Sequence, residues 1–129
     1  SDGAGGARRA VLLEAQAELC RRWEAVFLDW DVVVAPAFGT AAPRHDDAPP
    51  DARRLAVDGR DTAFADQMAW SSMASLANLP ATAVPVDRTA AGLPVGVQVV
   101  GPPLGDRTTI GFAALLEREF GGFRAPPAG

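Results

Sequence analysis

"GLPVGVQVVGPPLGD", residues 92–106, alternates like a half-buried strand and then stops abruptly. Val95, Val97 and Val99 fall on one face of an extended chain, where side chains alternate with period two. Between them stand Gly96 and Gln98, a missing side chain and a lone amide, neither suited to an ordinary strand core. Gly101, Pro102, Pro103 and Gly105 end the run. Asp106 then reads as the N-cap of a helix through Phe120, with Ile110, Ala113, Leu116 and Phe120 along one face. Gly121 and Gly122 close it.

Working outward, "ATAVPV" (residues 81–86) is a strand in which Pro85 marks an edge or a bulge, because proline has no ladder donor. "DRTAAG" joins it to the strand from Leu93 to Val100 as an antiparallel hairpin with a longer loop. Upstream, Asp61 or Thr62 is expected to cap a helix through Asn78, with Phe64, Met68, Met73 and Leu76 as apolar contacts, and Pro80 forbids its continuation. "DVVVAP" is a short apolar run, read as a buried strand from Asp31 to Ala35 that stops at Pro36. Residues 7–30 carry Leu12, Ala15, Leu19, Trp23, Val26 and Trp30 at helical spacing, with Glu18 four residues before Arg22. Residues 37–60, rich in Pro, Asp and Arg, read as a long loop. The order is α, β, long loop, α, β, β, α. This is an α/β unit, with a flexible lead-in at 1–6 and a fraying tail at 124–129.

The 129 residues are 48% hydrophobic and 22% charged, a composition that excludes disorder and membrane embedding. No apolar run approaches the length of a bilayer span, so no membrane is expected as a partner. The formal charge of −4 gives no electrostatic support to a nucleic-acid surface. All 12 cationic side chains are arginine. The absence of lysine excludes a lysine base, a Schiff base or a P-loop lysine within these residues. Cys20 is the only cysteine, so an intrachain disulfide is impossible and a cytoplasmic location is expected.

Complete catalytic constellations are missing. The glycines around Gly101 do not make a phosphate cradle, since the spacing to Gly105 is short by one and Arg107 and Thr108 follow Asp106. Pro102 and Pro103 also lack the N–H groups that would hold a phosphate. His45, the single histidine, neighbours Asp46, Asp47 and Asp51, but adjacent residues on one loop rarely converge on one ion. A solvated acidic loop is the bland reading, and no metal or other cofactor is expected. Ser71, Ser72 and Ser75 lie on the second helix without a base in reach, so helix packing is their default. Trp70 and Ser71 are candidates to line a pocket, against the plain alternative that Trp70 is core.

The order of these motifs resembles the carboxy-terminal part of amidase signature enzymes. It is carried by "FLDWDVVVAPAF", "AWSSMASLANLPATAVPV", "GLPVGVQVVGP" and "GDRTTIGFAALLE", across most of residues 10–120. The most specific element is GLPVG-x-Q-x-x-G: Gly92, Leu93, Pro94, Gly96, Gln98 and Gly101, followed by Asp106. The resemblance makes residues 7–123 a C-terminal segment of that fold, strands of a mixed β-sheet with flanking helices. It places the Gln98 strand inside a wide sheet. There Gly96 admits a close neighbour, and Gln98 ties buried backbone groups.

The family hydrolyses amides through a serine nucleophile, a bridging serine and a lysine base, all from segments upstream of the part matched here. No catalytic residue can therefore be assigned in this chain, and on its own it is expected to be inactive. The resemblance leaves wall-building for the loop after Pro36 and the start of the second helix, which makes Phe38, Met68, Trp70 and Ser71 the pocket candidates. Relatives that are amidotransferases hold an acidic residue near Met68, and methionine there favours an apolar amide. Asn78 stands where glycine is commoner and can adopt the same left-handed conformation. A small-molecule amide substrate and self-association are the expected partners. The alternative is a non-catalytic α/β module that binds a ligand or partner.

Overall fold

The computed structural model describes residues 3–126. In chain order these form α1 (Gly3–Val26), β1 (Val33–Pro36), β2 (Arg54–Val57), β3 (Arg60–Ala63), a 3₁₀ turn (Phe64–Gln67), α2 (Met68–Leu76), β4 (Ala81–Arg88), β5 (Pro94–Val100) and α3 (Asp106–Phe120). β5 is the central strand of a three-stranded sheet, with β1 on one side and β4 on the other, both antiparallel. The valines at 99 and 100 point to opposite faces, yet both are fully buried. Helices on both sides explain this. Val100 packs with Ala74, Ala77 and Leu79 beneath Leu19, Cys20 and Trp23 of α1. Val99 packs with Val84 and Ala113 beneath Phe112 and Leu116 of α3. The α/β class stands, built here from antiparallel pairs.

The β4–β5 hairpin follows the sequence closely. Pro85 sits opposite Gly96 and the register then slips, so that Asp87 faces Val95. Proline is thus placed at a bulge, and on a strand that is an edge of this sheet. Beyond β5, Gly101 donates to the Pro80 carbonyl at 3.0 Å. A Cβ on Gly101 would lie 2.5 Å from the Thr109 methyl. That close approach draws α3 onto the sheet, where the Thr82 and Thr109 hydroxyls meet at 2.9 Å. Asn78 has the left-handed φ of 53° that ends α2.

Several boundaries differ from expectation. α1 begins at Gly3, within the lead-in expected at 1–6, and ends at Val26 rather than running to Trp30. Residues 1–2 and 127–129, parts of the expected lead-in and tail, lie outside the described residues. Leu12 and Trp30 of the proposed stripe are 63% and 68% exposed, because only the stretch from Leu19 onward overlies the sheet. Within α1, Glu18 meets Arg22 at 2.9 Å and Arg21 at 2.8 Å. These hydrogen bonds, Arg22 first, hold its carboxyl below the ordinary range.

The expected loop at 37–60 contains the start of a second sheet, β2 paired antiparallel with β3. Asp61 and Thr62 therefore lie in a strand and do not cap a helix: Asp61 pairs with Arg54, and the Thr62 hydroxyl donates to Leu55 O at 3.1 Å. The helix starts after the 3₁₀ turn, with no side-chain cap. Asp106 is the first residue of α3, not its N-cap, which is Gly105. Its carboxylate still suits the positive end of the helix. Ile110 and Phe120 are 60% and 54% exposed, and the face that packs is Thr109, Phe112, Ala113 and Leu116.

Candidate functional site

The end of β1 delivers the chain into the segment Ala37–Ala42, which faces the start of β5 across a hollow of about 370 Å³. Phe38 and Gly96 both line it. Phe38 is half-buried and meets Phe64 at 5.6 Å between ring centroids, tilted by 51°. The Arg53 guanidinium lies 6.0 Å over the same Phe64 ring and donates through Nε to Ala48 O at 2.8 Å. The β2–β3 hairpin is thereby fastened to the segment after β1, and a larger hollow of about 940 Å³ opens between them. His45, Asp46 and Asp47 stand on its rim, exposed.

Gln98 is the buried polar group of the centre, 7% exposed. Its Nε2 donates to the Pro36 carbonyl at 2.9 Å and to the Trp70 carbonyl at 2.7 Å. One amide therefore joins the end of β1 to the first turn of α2. Nearby, Gln67 is also buried, with its Oε1 pressed against the Gly39 backbone, where any Cβ would collide with it. Neither Gln67 Oε1 nor the buried Thr40 hydroxyl finds a hydrogen-bond partner among the described residues.

Of the four pocket candidates, Phe38 lines the hollow beside β5. Met68 and Trp70 are 44% and 36% exposed on the α2 side, and Ser71 is exposed beside them. The backbone of Trp70, through Gln98, is what approaches the Phe38 segment. The serines are occupied within the helix: Ser71 and Ser72 donate to Met68 O at 3.1 and 2.7 Å, and Ser75 to Ser71 O at 3.2 Å. Such back-bonding is the ordinary state of helix serines. Among the described residues, no three His, Cys, Asp or Glu side chains converge to hold a metal, and no helix is long and apolar enough to cross a membrane. The residues missed by sequence reasoning are Gln67 and the hairpin. Gln67 carried no signal, whereas "VDGR" at 57–60 did, since Asp-Gly is a strong two-residue hairpin turn.

The family model described as Amidase matches residues 6–110. The chain is 36% identical over 105 residues to a glutamyl-tRNA(Gln) amidotransferase subunit of Halobacterium salinarum, covering 81% of this chain and 22% of that protein. It is 37% identical over 92 residues to a fatty acid amide hydrolase of Arabidopsis thaliana, covering 71% of this chain and 14% of the relative. A fatty acid amide hydrolase of Medicago truncatula is 36% identical over 103 residues, covering 79% and 16%. The chain thus spans less than a quarter of the length of these relatives.

Proposed function

The chain belongs to the amidase family, and from that premise we propose that it is the C-terminal portion of an enzyme that hydrolyses a carboxylic amide to an acid and an amine or ammonia. The observation that carries this is the family match over residues 6–110, which takes in the GLPVG-x-Q strand that the fold places at its centre. In this reading a serine upstream attacks the amide carbonyl, and a lysine base removes the serine proton. The amine departs with a proton, and water releases the acid from the acyl-serine.

This chain supplies the scaffold and one wall. The Phe38–Phe64 pair beside the hollow suits an apolar acyl group, and Met68 brings no acidic side chain with which to grip an ammonium. A cytoplasmic location and a homo-oligomeric enzyme complete the proposal. They rest on the lone, half-buried Cys20 and on exposed apolar side chains such as Val34 and Trp30.

The first test is turnover. The purified 129-residue chain is expected to hydrolyse no member of a panel of aryl amides, since base, nucleophile and oxyanion donors are each worth orders of magnitude. The product of the complete reading frame is expected to hydrolyse them and to be silenced by a serine-directed reagent. Turnover by the chain itself, abolished by that reagent, places the nucleophile here and refutes the division of labour. Inactivity of the complete product on every amide favours the non-catalytic binding module.

A further inference from the structure

We infer that Gln98 is a positioning residue of the amide pocket, setting the separation between the Pro36–Phe38 segment and the first turn of α2. The inference rests on the amidase reading for the pocket's purpose, and on geometry alone for the clamp. A primary amide nitrogen carries two hydrogens, and Gln98 directs Nε2 at two carbonyls contributed by residues 62 and 28 positions away. Both partners are pure acceptors. Turning the amide over would set oxygen against two oxygens, so its orientation is determined by chemistry as well as by packing. Gln98 itself is buried, so loss of the amide removes one donor from each of two carbonyls.

The length of the side chain matters as much as its polarity. Val97 and Val99 on either side face α3, while Gln98 faces α2, and Cα98 is held in register opposite Ala35 and Ala83. With its base fixed by two strands, the glutamine reaches the helix turn and the strand end together. A shorter amide cannot bridge both. Phe38, which lines the hollow, lies two residues beyond Pro36, and Met68, on the exposed side of α2, lies two before Trp70, so a shift of either bonded carbonyl moves one of them. Gln98 touches no reacting atom in this arrangement and acts through those walls.

Three measurements decide it. In the 129-residue chain, the Gln98 side-chain amide protons are expected to exchange with solvent at least about tenfold more slowly than those of the exposed Asn78, as buried bonded donors do. Exchange at the same rate overturns the clamp. In the complete enzyme, Gln98→Glu keeps the shape and loses both donors, while Gln98→Asn keeps the donors and loses the reach. Both are expected to lower kcat/KM for amides with bulky acyl groups by about 10–100-fold, with a much smaller change for acetamide. A purely structural role would lower soluble yield or the active fraction and leave the ratio between the two substrates as in wild type. That unchanged ratio in both variants overturns the positioning role. If wild-type enzyme hydrolyses no amide, the functional reading fails and the pocket role with it, while proton exchange still decides the clamp.

Discussion

A Cβ built on Gly96 would lie 3.1 Å from the carbonyl oxygen of Val84. The close neighbour that a glycine in this strand implied is therefore the backbone of β4 itself, at the point where the register slips beyond Pro85. Gly96→Val is expected to destabilise the fold by roughly 1–3 kcal/mol, because backbone at a bulge gives way less readily than a side-chain tip. Strand propensity predicts the opposite sign, since valine is the better strand former. Chemical denaturation separates the two, and a midpoint that rises in the valine variant shows that this face is open. At this scale the sequence is informative wherever a residue is out of place for its element. Gln98 between valines had to be bonded, as buried amides almost always are. The identity of its partners was not legible, because Pro36 O and Trp70 O are brought together only by tertiary packing. Gln67 is the converse case: its surroundings in the sequence are ordinary, and burial against Gly39 is visible only in the fold.

Elements were legible in proportion to the length of their pattern. β4, β5 and α3 carry valine alternation or helical spacing bounded by Gly and Pro, and they fall within a residue or two of expectation. The β2–β3 hairpin has strands of four residues, "RLAV" and "RDTA", with no cross-strand pair of two large apolar residues and an alternation only two residues long, Leu55 and Val57. Its only strong signal is the turn. Asp58 and Gly59 have φ of 49° and 74°, the pair of positive values that a two-residue hairpin turn requires. Without that turn, strand residues Asp61 and Thr62 read as helix caps. Gly59→Ala is expected to cost about 1 kcal/mol, as an alanine is forced into left-handed backbone. Since the hairpin joins the rest chiefly through Arg53, Phe64 and Phe38, the loss should be local. Hydrogen exchange should quicken at residues 54–63 while β5 stays protected. Gly59→Asn, which tolerates positive φ, should behave like wild type. Equal protection of the hairpin in the alanine variant shows that the turn does not control it.

At the scale of the whole molecule, the sheet has two outer edges of unequal character. β4 is blunted by Pro85, by the bulge, and by Asp87 and Arg88 at its end. β1 is short, with proline only at its last position, Pro36, and Val34 is 47% exposed with no charged neighbour in the strand. β5 is paired on both sides. Leu12, Leu28 and Trp30 are exposed on the same molecule. An unprotected edge offers N–H and C=O groups to another chain, and natural edges escape this with proline, a bulge or an inward charge. The 129-residue chain is therefore expected to associate through β1 at micromolar concentration, forming a dimer that continues the sheet. Sedimentation velocity measures it, with Val34→Lys as the decisive variant. A lysine at the centre of a four-residue strand leaves the β1–β5 pairing in place but obstructs any strand added outside it. The variant should sediment as a monomer where wild type does not. A wild-type chain that is strictly monomeric and binds no hydrophobic dye closes its own surface, and argues for an autonomous module over a slice of a larger sheet.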